Sequence, residues 1–474
     1  MRNLRRRCIR QQLRFLQRQY LQDGEMPLRD MFSERLMSRA LATIDGSWND
    51  RIYTPLVTLW MFLGQVLNAD HSCRAAVARL ISHRVSRGLS ACSARTGAYC
   101  QARLRLPEKF FATIARTLGR QLEDQAEAKW LWKGRHVYMF DGTTVNMPDT
   151  PENQAAYPQV YNQKPGLGFP IARVCTIISL SCGAVLDVGF SRYAGKGQGE
   201  LSLLRRMWGS LSPGDILLTD ALMSTWYEML MLKQRGIDSV SRLNKAHRRA
   251  DFRRGKRLGK GDHIVRWYKP SPLRAVDAAT YKTLPDYIEI RETRVRVVQP
   301  GFRTSKGIIV VTTLLDPAAT TPEDLASLYR SRWNQELDIR DLKTTLGMDF
   351  LRCKTPELVR KEIWTHILVC NLVRTATAQA ALRNDIEPRT ISFKGAVQTL
   401  QAFQPLIDFQ GNRGPSFRSH LYQQLLDSIA LHRVADRPDR FEPRFKKRRA
   451  PLYRNLNLPR QEAKLLMLKG RTKI

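Results

Sequence analysis

Three carboxylates stand where acids can work on a bound ligand. Val137-Tyr138-Met139-Phe140 and Ile216-Leu217-Leu218-Thr219 are short apolar runs of strand character, and each ends in an aspartate, Asp141 and Asp220. An acid where a buried strand ends sits on the rim of a sheet, within reach of solvent and ligand. Neither is specific alone, because Asp-Gly after a strand is ordinarily a turn. Gly142-Thr143-Thr144, however, is not an ordinary hairpin loop. Asp149, Asp187 and Asp215 compete, but Asp149 falls in Pro-rich loop sequence and Asp215 precedes its strand as a turn residue would. The third acid is Glu336. At roughly 100° per helical residue, Tyr329, Arg332 and Lys343 fall within about 40° of it, and Asp338 and Asp341 roughly 140° or more away. One helix face therefore carries a phenol, two cations and a single carboxylate. That face reads as a solvated surface with salt bridges, Arg332 and Glu336 being four apart, or as the wall of a site that handles charged oxygens. Carboxylates are the residue type that holds hard cations such as Mg²⁺.

Elements must bring these residues together. Helical spacing of apolar residues marks Leu28–Ala42, Leu56–Leu67, Ala75–His83 and Pro107–Ala128, so residues 1 to about 130 read as mostly helical. Ser93-Ala94-Arg95-Thr96 followed by 98–104 fits a helix-turn-helix presenting Arg95, Gln101, Arg103 and Arg105, or an ordinary helical hairpin. Strand-like runs at 171–181 and 184–192 join at Cys182-Gly183 as a hairpin. A helix near 200–211, the strand ending at Asp220, a helix at 225–235 and a strand at 237–243 complete the pattern of a mixed sheet flanked by helices, an α/β fold. From Asn244 the chain turns strongly basic: Lys245, Arg248, Arg249, Arg253, Arg254, Lys256, Arg257 and Lys260 meet only Asp251. Alternation at 263–269 and 287–298 predicts a β-rich insertion with a basic loop carrying Arg253 and Arg254, and 307–315 predicts a strand returning to the core. Thr321-Pro322-Glu323-Asp324 is a strong helix start, predicting one helix to about Gly347. Thr355-Pro356-Glu357 opens another, to about Arg383.

The formal net charge is +35, from 78 Lys and Arg against 43 Asp and Glu. An excess of that size calls for a polyanion, and nucleic acid phosphate is the usual one. Arg2, Arg5, Arg6, Arg7, Arg10, Arg14 and Arg18 precede the first acid, Asp23, and a basic tail begins near Arg437. No apolar stretch follows the early arginines, which argues against an export signal. The apolar segment 56–67 is too short to span a bilayer, so a soluble, cytoplasmic protein without membrane partners is expected. None of the eight cysteines forms a C-x-x-C pair, so zinc is not expected.

Tyr329-x2-Arg332-x3-Glu336-x6-Lys343 resembles the Y-x2-R-x3-E-x6-K signature of the insertion-sequence-four (YREK) transposases within the DDE superfamily. The stretch 138–144 is similar to that family's first-aspartate region, and Leu217-Leu218-Thr219-Asp220 to its second. The second region departs from the family in continuing as Ala221-Leu222-Met223, without the frequent basic and aromatic residues. The likeness covers about residues 130–380. It implies an RNase H-like catalytic core in two parts, 131–243 and 306–385, around a β-rich basic insertion at 244–305. A helical DNA-binding domain at 1–130 and a helical C-terminal region with a basic tail at 386–474 complete the expectation. It also implies cut-and-paste DNA transposition by a homodimer in a synaptic complex on double-stranded DNA, both the terminal inverted repeats and the target. Asp141, Asp220 and Glu336 would hold two Mg²⁺ ions, for which Mn²⁺ can substitute, about 4 Å apart for in-line attack on a phosphodiester. Tyr329, Arg332 and Lys343 would contact DNA. In family members the insertion presents an aromatic that stacks on a flipped base, for which Trp267 and Tyr268 are the candidates, core packing being the more usual role for each. A non-catalytic DNA-binding regulator derived from a transposase would share the charge and fold, but would have lost an acid or the helix signature.

Overall fold

The computed structural model describes residues 32–46, 51–271, 273, 275–296, 307–410, 413–434 and 455–469. The arginines of residues 2–18 and the basic tail at 435–454 lie outside them. The chain divides into two compact units, one of 1–134, 177–188 and 337–434, the other of 135–176, 189–336 and 435–474.

The first unit is built on the 28-residue helix Pro356–Arg383, buried on nearly every face from Leu358 to Ala381. A helix hidden all round belongs to the centre of a core. It packs on Glu108–Asp124, Pro415–Ala430 and Pro55–Leu67. Polar groups carried inside are paired: Asn371 Nδ2 donates to Ala115 O at 3.0 Å and Val185 O at 2.8 Å, and its Oδ1 accepts from Val185 N at 2.8 Å. The helix Gly97–Arg105 forms as expected, but Arg103 does not join Arg95, Gln101 and Arg105 on the exposed side. Arg103 is only 4% exposed. Its Nη2 meets Cys73 Sγ at 3.2 Å and Cys100 Sγ at 3.5 Å, and its guanidinium lies 4.7 Å from the Tyr99 ring centroid. A planar, weakly hydrated cation tolerates soft sulfur and π neighbours better than an ammonium would.

The second unit is organised by a sheet whose strands are β1 (Val137–Asn146), β2 (Ile171–Ser179), β3 (Val185–Arg192), β4 (Ile216–Leu218), β5 (Asp238–Arg242), β6 (Lys256–Gly259), β7 (Asp262–Tyr268), β8 (Tyr287–Val295) and β9 (Ile308–Thr312). Their order is β3-β2-β1-β4-β5-β9-β8-β7-β6, with the tip of the β2–β3 hairpin counted in the helical unit. β1, β4 and β5 pair in parallel, and β5, β9, β8, β7 and β6 pair antiparallel in turn. The basic insertion is thus an extension of the central sheet. The crossover from β4 to β5 is the helix Trp226–Gln234, capped by Thr225. Trp226, Met229, Leu230, Leu243, Trp267, Ile288, Ile290 and Val311 form one apolar cluster that joins this helix to the insertion strands.

The predicted long helix is interrupted. Pro322–Ser331 opens with a full capping box between Thr321 and Asp324, the chain turns at Arg332, Trp333–Arg340 follows, and Asp341–Thr345 is a π turn. A π turn adds a residue to the hydrogen-bonded loop, so the 100° step stops holding before Lys343. Among the described residues no helix is long and apolar enough to cross a membrane.

Candidate active site

β4 is only three residues long, and that shortness makes the site. Its partner β1 continues to Asn146, so Asp141 lies inside a strand and not at its end. Val137–Phe140 are buried, and Asp141–Thr144 become half-buried. The parallel register pairs Val137 with Ile216, Tyr138 with Leu217 and Met139 with Leu218. Two residues further on, Asp141 stands level with Asp220. Side chains two apart on a strand share a face, and adjacent strands run about 4.8 Å apart. Continuing across β5, where Leu218 pairs with Val240, brings Arg242 into the same row. Arg242, absent from the sequence reading, could have been found only from this register.

Glu336 is tied to Asp141 through Arg332. Arg332 Nη2 donates to Glu336 Oε1 at 3.0 Å, and Nη1 lies 3.9 Å from Asp141 Oδ2. The preceding helix, Pro322–Ser331, is seated by buried Leu325 and Leu328. Next to Glu336, the buried Gln335 Nε2 donates to Thr176 O of β2 at 3.4 Å. Tyr329 lies 5.9 Å from the Arg332 guanidinium, and burial raises its hydroxyl above the ordinary tyrosine value while Arg332 opposes this.

Each acid has one oxygen held and one left open. Asp141 Oδ1 accepts from Gly142 N at 2.7 Å, Asp220 Oδ1 from Leu222 N at 2.8 Å, and Glu336 Oε1 from Arg332. The second oxygens have no hydrogen-bond donor among the described residues. Burial pushes the Asp141 carboxyl up to about 6; the Gly142 N–H counters it, Asp220 adds to it, Arg332 counters it and Glu200 adds to it. Glu200 is a site neighbour that the sequence reading missed. It opens the helix Glu200–Met207, and its Oε1 accepts from Arg173 Nη1 at 2.8 Å. Among the described residues no three His, Cys, Asp or Glu side chains are already drawn into a metal cage. The donor set nevertheless fits a hard divalent cation: carboxylate oxygens, each oriented by a fixed donor, with open lone pairs.

Lys343 belongs to the helical unit, where Nζ pairs with Asp349 at 2.9 Å. Arg253 and Arg254 project into solvent and share Asp251, at 2.8 Å and 3.4 Å. Trp267 is 1% exposed, its Nε1 donates to Glu292 Oε1 at 2.8 Å, and Arg248 of the basic run covers its ring at 4.4 Å. The neighbouring Tyr268 faces out, 64% exposed. It sits directly across the ladder from Tyr287 with centroids 6.2 Å apart, and Arg266 lies 4.4 Å from the Tyr287 ring.

The model of the transposase DDE domain matches residues 132–372. The chain is 27% identical over 434 residues to the transposase InsG for insertion sequence element IS4 of Escherichia coli strain K12, covering 90% of this chain and 92% of that protein. It is 36% identical over 78 residues to the transposase for insertion sequence element IS421 of Escherichia coli, covering 16% of this chain and 21% of that protein. A solved piggyBac transposase synaptic complex with hairpin DNA aligns over 90% of this chain and 87% of that one, at 9% identity and a TM-score of 0.41, too distant a likeness to define the fold.

Proposed function

The chain belongs to the insertion-sequence-four branch of the DDE transposases, and from that premise we propose that it cuts and joins DNA at the terminal inverted repeats of its own element, using Asp141, Asp220 and Glu336. The observation that supports this is the pairing register of β1 with β4, which ends at Met139 opposite Leu218, so that Asp141 and Asp220 each follow two residues beyond the last paired position, with Arg332 linking Glu336 to Asp141. The DDE family implies divalent metal use, and Mg²⁺, with Mn²⁺ as substitute, is the ion proposed. Bound divalent cations supply Lewis acidity to the attacking and leaving oxygens of a phosphodiester. The open oxygens of the three acids are the atoms to hold them. Arg332, released toward substrate, binds phosphate with its fork, and Arg242 at the end of the row adds a second cation for the strand. Tyr329, half-buried against Arg332, contacts the DNA beside the scissile bond. Lys343, Arg253 and Arg254 are proposed as further backbone contacts. The strand order β3-β2-β1-β4-β5, with parallel pairing at its centre, supports an RNase H-like core. Double-stranded DNA, a homodimeric synaptic complex and a cytoplasmic setting complete the reading.

The test is cleavage of a labelled duplex carrying the inverted repeat that flanks the coding sequence, with Mg²⁺, with Mn²⁺ or with chelator. Cleavage is expected with either ion and none with chelator. Specific binding of the repeat with no cleavage under any ion would instead make the chain a regulator.

Within the insertion, the exposure of Tyr268 beside the buried Trp267 supports Tyr268 as the stacking aromatic. Tyr268→Ala should weaken binding of DNA with an unpaired base at the cleaved end by about tenfold, since one base–aromatic stack contributes about 1–3 kcal/mol. Its melting temperature should match wild type. Equal affinity of the two proteins in fluorescence anisotropy removes Tyr268 from the interface.

A further inference from the structure

Glu200 occupies a position that a simple surface salt bridge does not explain. It follows a turn in which Gly195 and Gly197 take φ of 120° and 74°, a region open to glycine. The turn is pinned on both sides: Ser191 Oγ donates to Gln198 O at 2.9 Å, and Arg206 Nη2 donates to Gly197 O at 2.8 Å. Arg173 reaches in from β2, giving Nη1 to Glu200 Oε1 and Nη2 to Tyr193 O at 3.1 Å, with its guanidinium 5.2 Å from the Tyr193 ring. The held carboxylate lies against the backbone of the residue after Asp141. A Cβ placed on Gly142 would fall 2.7 Å from Glu200 Oε1 and 2.8 Å from its Cδ. Gly142 is the residue whose N–H orients the Asp141 carboxylate.

Glu200 therefore repeats the pattern of the three acids. One oxygen is fixed by a protein donor, and the other has no donor among the described residues. We propose that Glu200 is a fourth carboxylate of the acid site, a positioning residue that Arg173 holds against Gly142 so that its charge and packing set how tightly Asp141 holds a divalent cation. This rests on the reading of Asp141, Asp220 and Glu336 as cation ligands. Arg173 neutralises Glu200 only in part, because it is paired with one of the two carboxylate oxygens. A side chain at Gly142 would displace the Glu200 carboxylate from its place against β1.

The experiment is a Mn²⁺ titration of the full chain without DNA, reading free ion by electron paramagnetic resonance, with thermal melting of each variant. Glu200→Gln keeps the size and the acceptor for Arg173 but loses the charge. It should weaken Mn²⁺ binding about ten- to hundredfold, the usual effect of removing a group that orients a ligand, with little change in melting. Glu200→Asp restores the charge and should recover part of the affinity. Gly142→Ala should lose affinity as Glu200→Gln does, by displacing the carboxylate. If Asp141→Asn weakens binding while Glu200→Gln binds as wild type, Glu200 has no such role and the three-acid reading stands. If Glu200→Gln and Glu200→Asp both melt early and bind Mn²⁺ as wild type, the pair is structural and the proposal fails. If Asp141→Asn itself binds Mn²⁺ as wild type, the three-acid reading fails first.

Discussion

Asp141→Asn should abolish end cleavage, with a loss of about a thousandfold or more, while leaving affinity for the terminal repeat nearly unchanged. The magnitude follows from the several kcal/mol that metal ions contribute to the transition state, each ~1.4 kcal/mol being a factor of ten in rate. The same is expected of Asp220→Asn and Glu336→Gln. Folding gives an independent check. The Asp141 carboxyl is raised from 3.8 to about 6, so the folded state prefers the protonated form. The stability this preference contributes is full below about pH 3.8 and lost as pH rises through about 6. At neutral pH the ionised group is therefore a cost, which a neutral isostere removes. Asp141→Asn should melt at or above the wild-type temperature at pH 7.5 and lose that advantage at pH 4. A cleavage-dead protein that melts late has lost chemistry and not structure. Wild-type nicking by Glu336→Gln, measured on a labelled end, would remove that residue from the assignment.

The candidate residues can be picked out from residue types because their signals are local. Asp141 and Asp220 each close an apolar run of strand length, and the spacing of Tyr329, Arg332 and Glu336 would put them on one face of an unbroken helix, although the helix turns at Arg332. What could not be read depended on contacts between distant segments. The register of β1 against β4 pairs Met139 with Leu218, 79 residues later in the chain. Glu200 looks like an ordinary helix-opening acid until the Gly142 backbone is seen beneath it. Alternation marked β7 correctly, yet it could not say which of Trp267 and Tyr268 faces inward, because that depends on which side of the sheet the Trp226 helix covers. The π turn that holds Lys343 cannot be seen in a pattern of apolar residues. Arg103 counted as a surface cation by its charge, although three sulfur atoms and two rings surround it. Charge alone was also a poor guide to the insertion, where Arg248 covers a tryptophan and Arg291 is wholly buried.

That buried arginine carries the second large effect. Asp262→Ala should destabilise the sheet-bearing unit by about 3–5 kcal/mol, the range for orphaning one half of a buried ion pair. Arg291 is 0% exposed. Its Nε and Nη2 meet Asp262 Oδ1 and Oδ2 at 2.9 Å and 2.6 Å, and Thr293 Oγ1 donates to the same carboxylate at 2.7 Å. Its Nη1 donates to Thr320 O at 2.6 Å, one residue before the Thr321 cap of the helix leading to Tyr329, Arg332 and Glu336. The pair thus fastens β7 and β8 of the insertion to the entry of the site helix. Without Asp262 a guanidinium that cannot lose its proton stays buried with a single carbonyl for company, and the strands must part or admit water to solvate it. Replacing both partners, as Asp262→Leu with Arg291→Met, leaves no orphaned charge and should cost clearly less than Asp262→Ala alone. Urea unfolding of the three proteins measures this directly. A double variant as unstable as the single one would mean that the pair itself stabilises the fold, and a loss under about 1 kcal/mol for Asp262→Ala would mean that water already reaches Arg291. If the order holds, Asp262→Ala should also lose cleavage in proportion to the misplacement of Glu336, whereas the double variant keeps its fold but loosens the Thr320 anchor. Comparing cleavage at equal folded fraction then separates what the insertion does for stability from what it does for aiming the third acid.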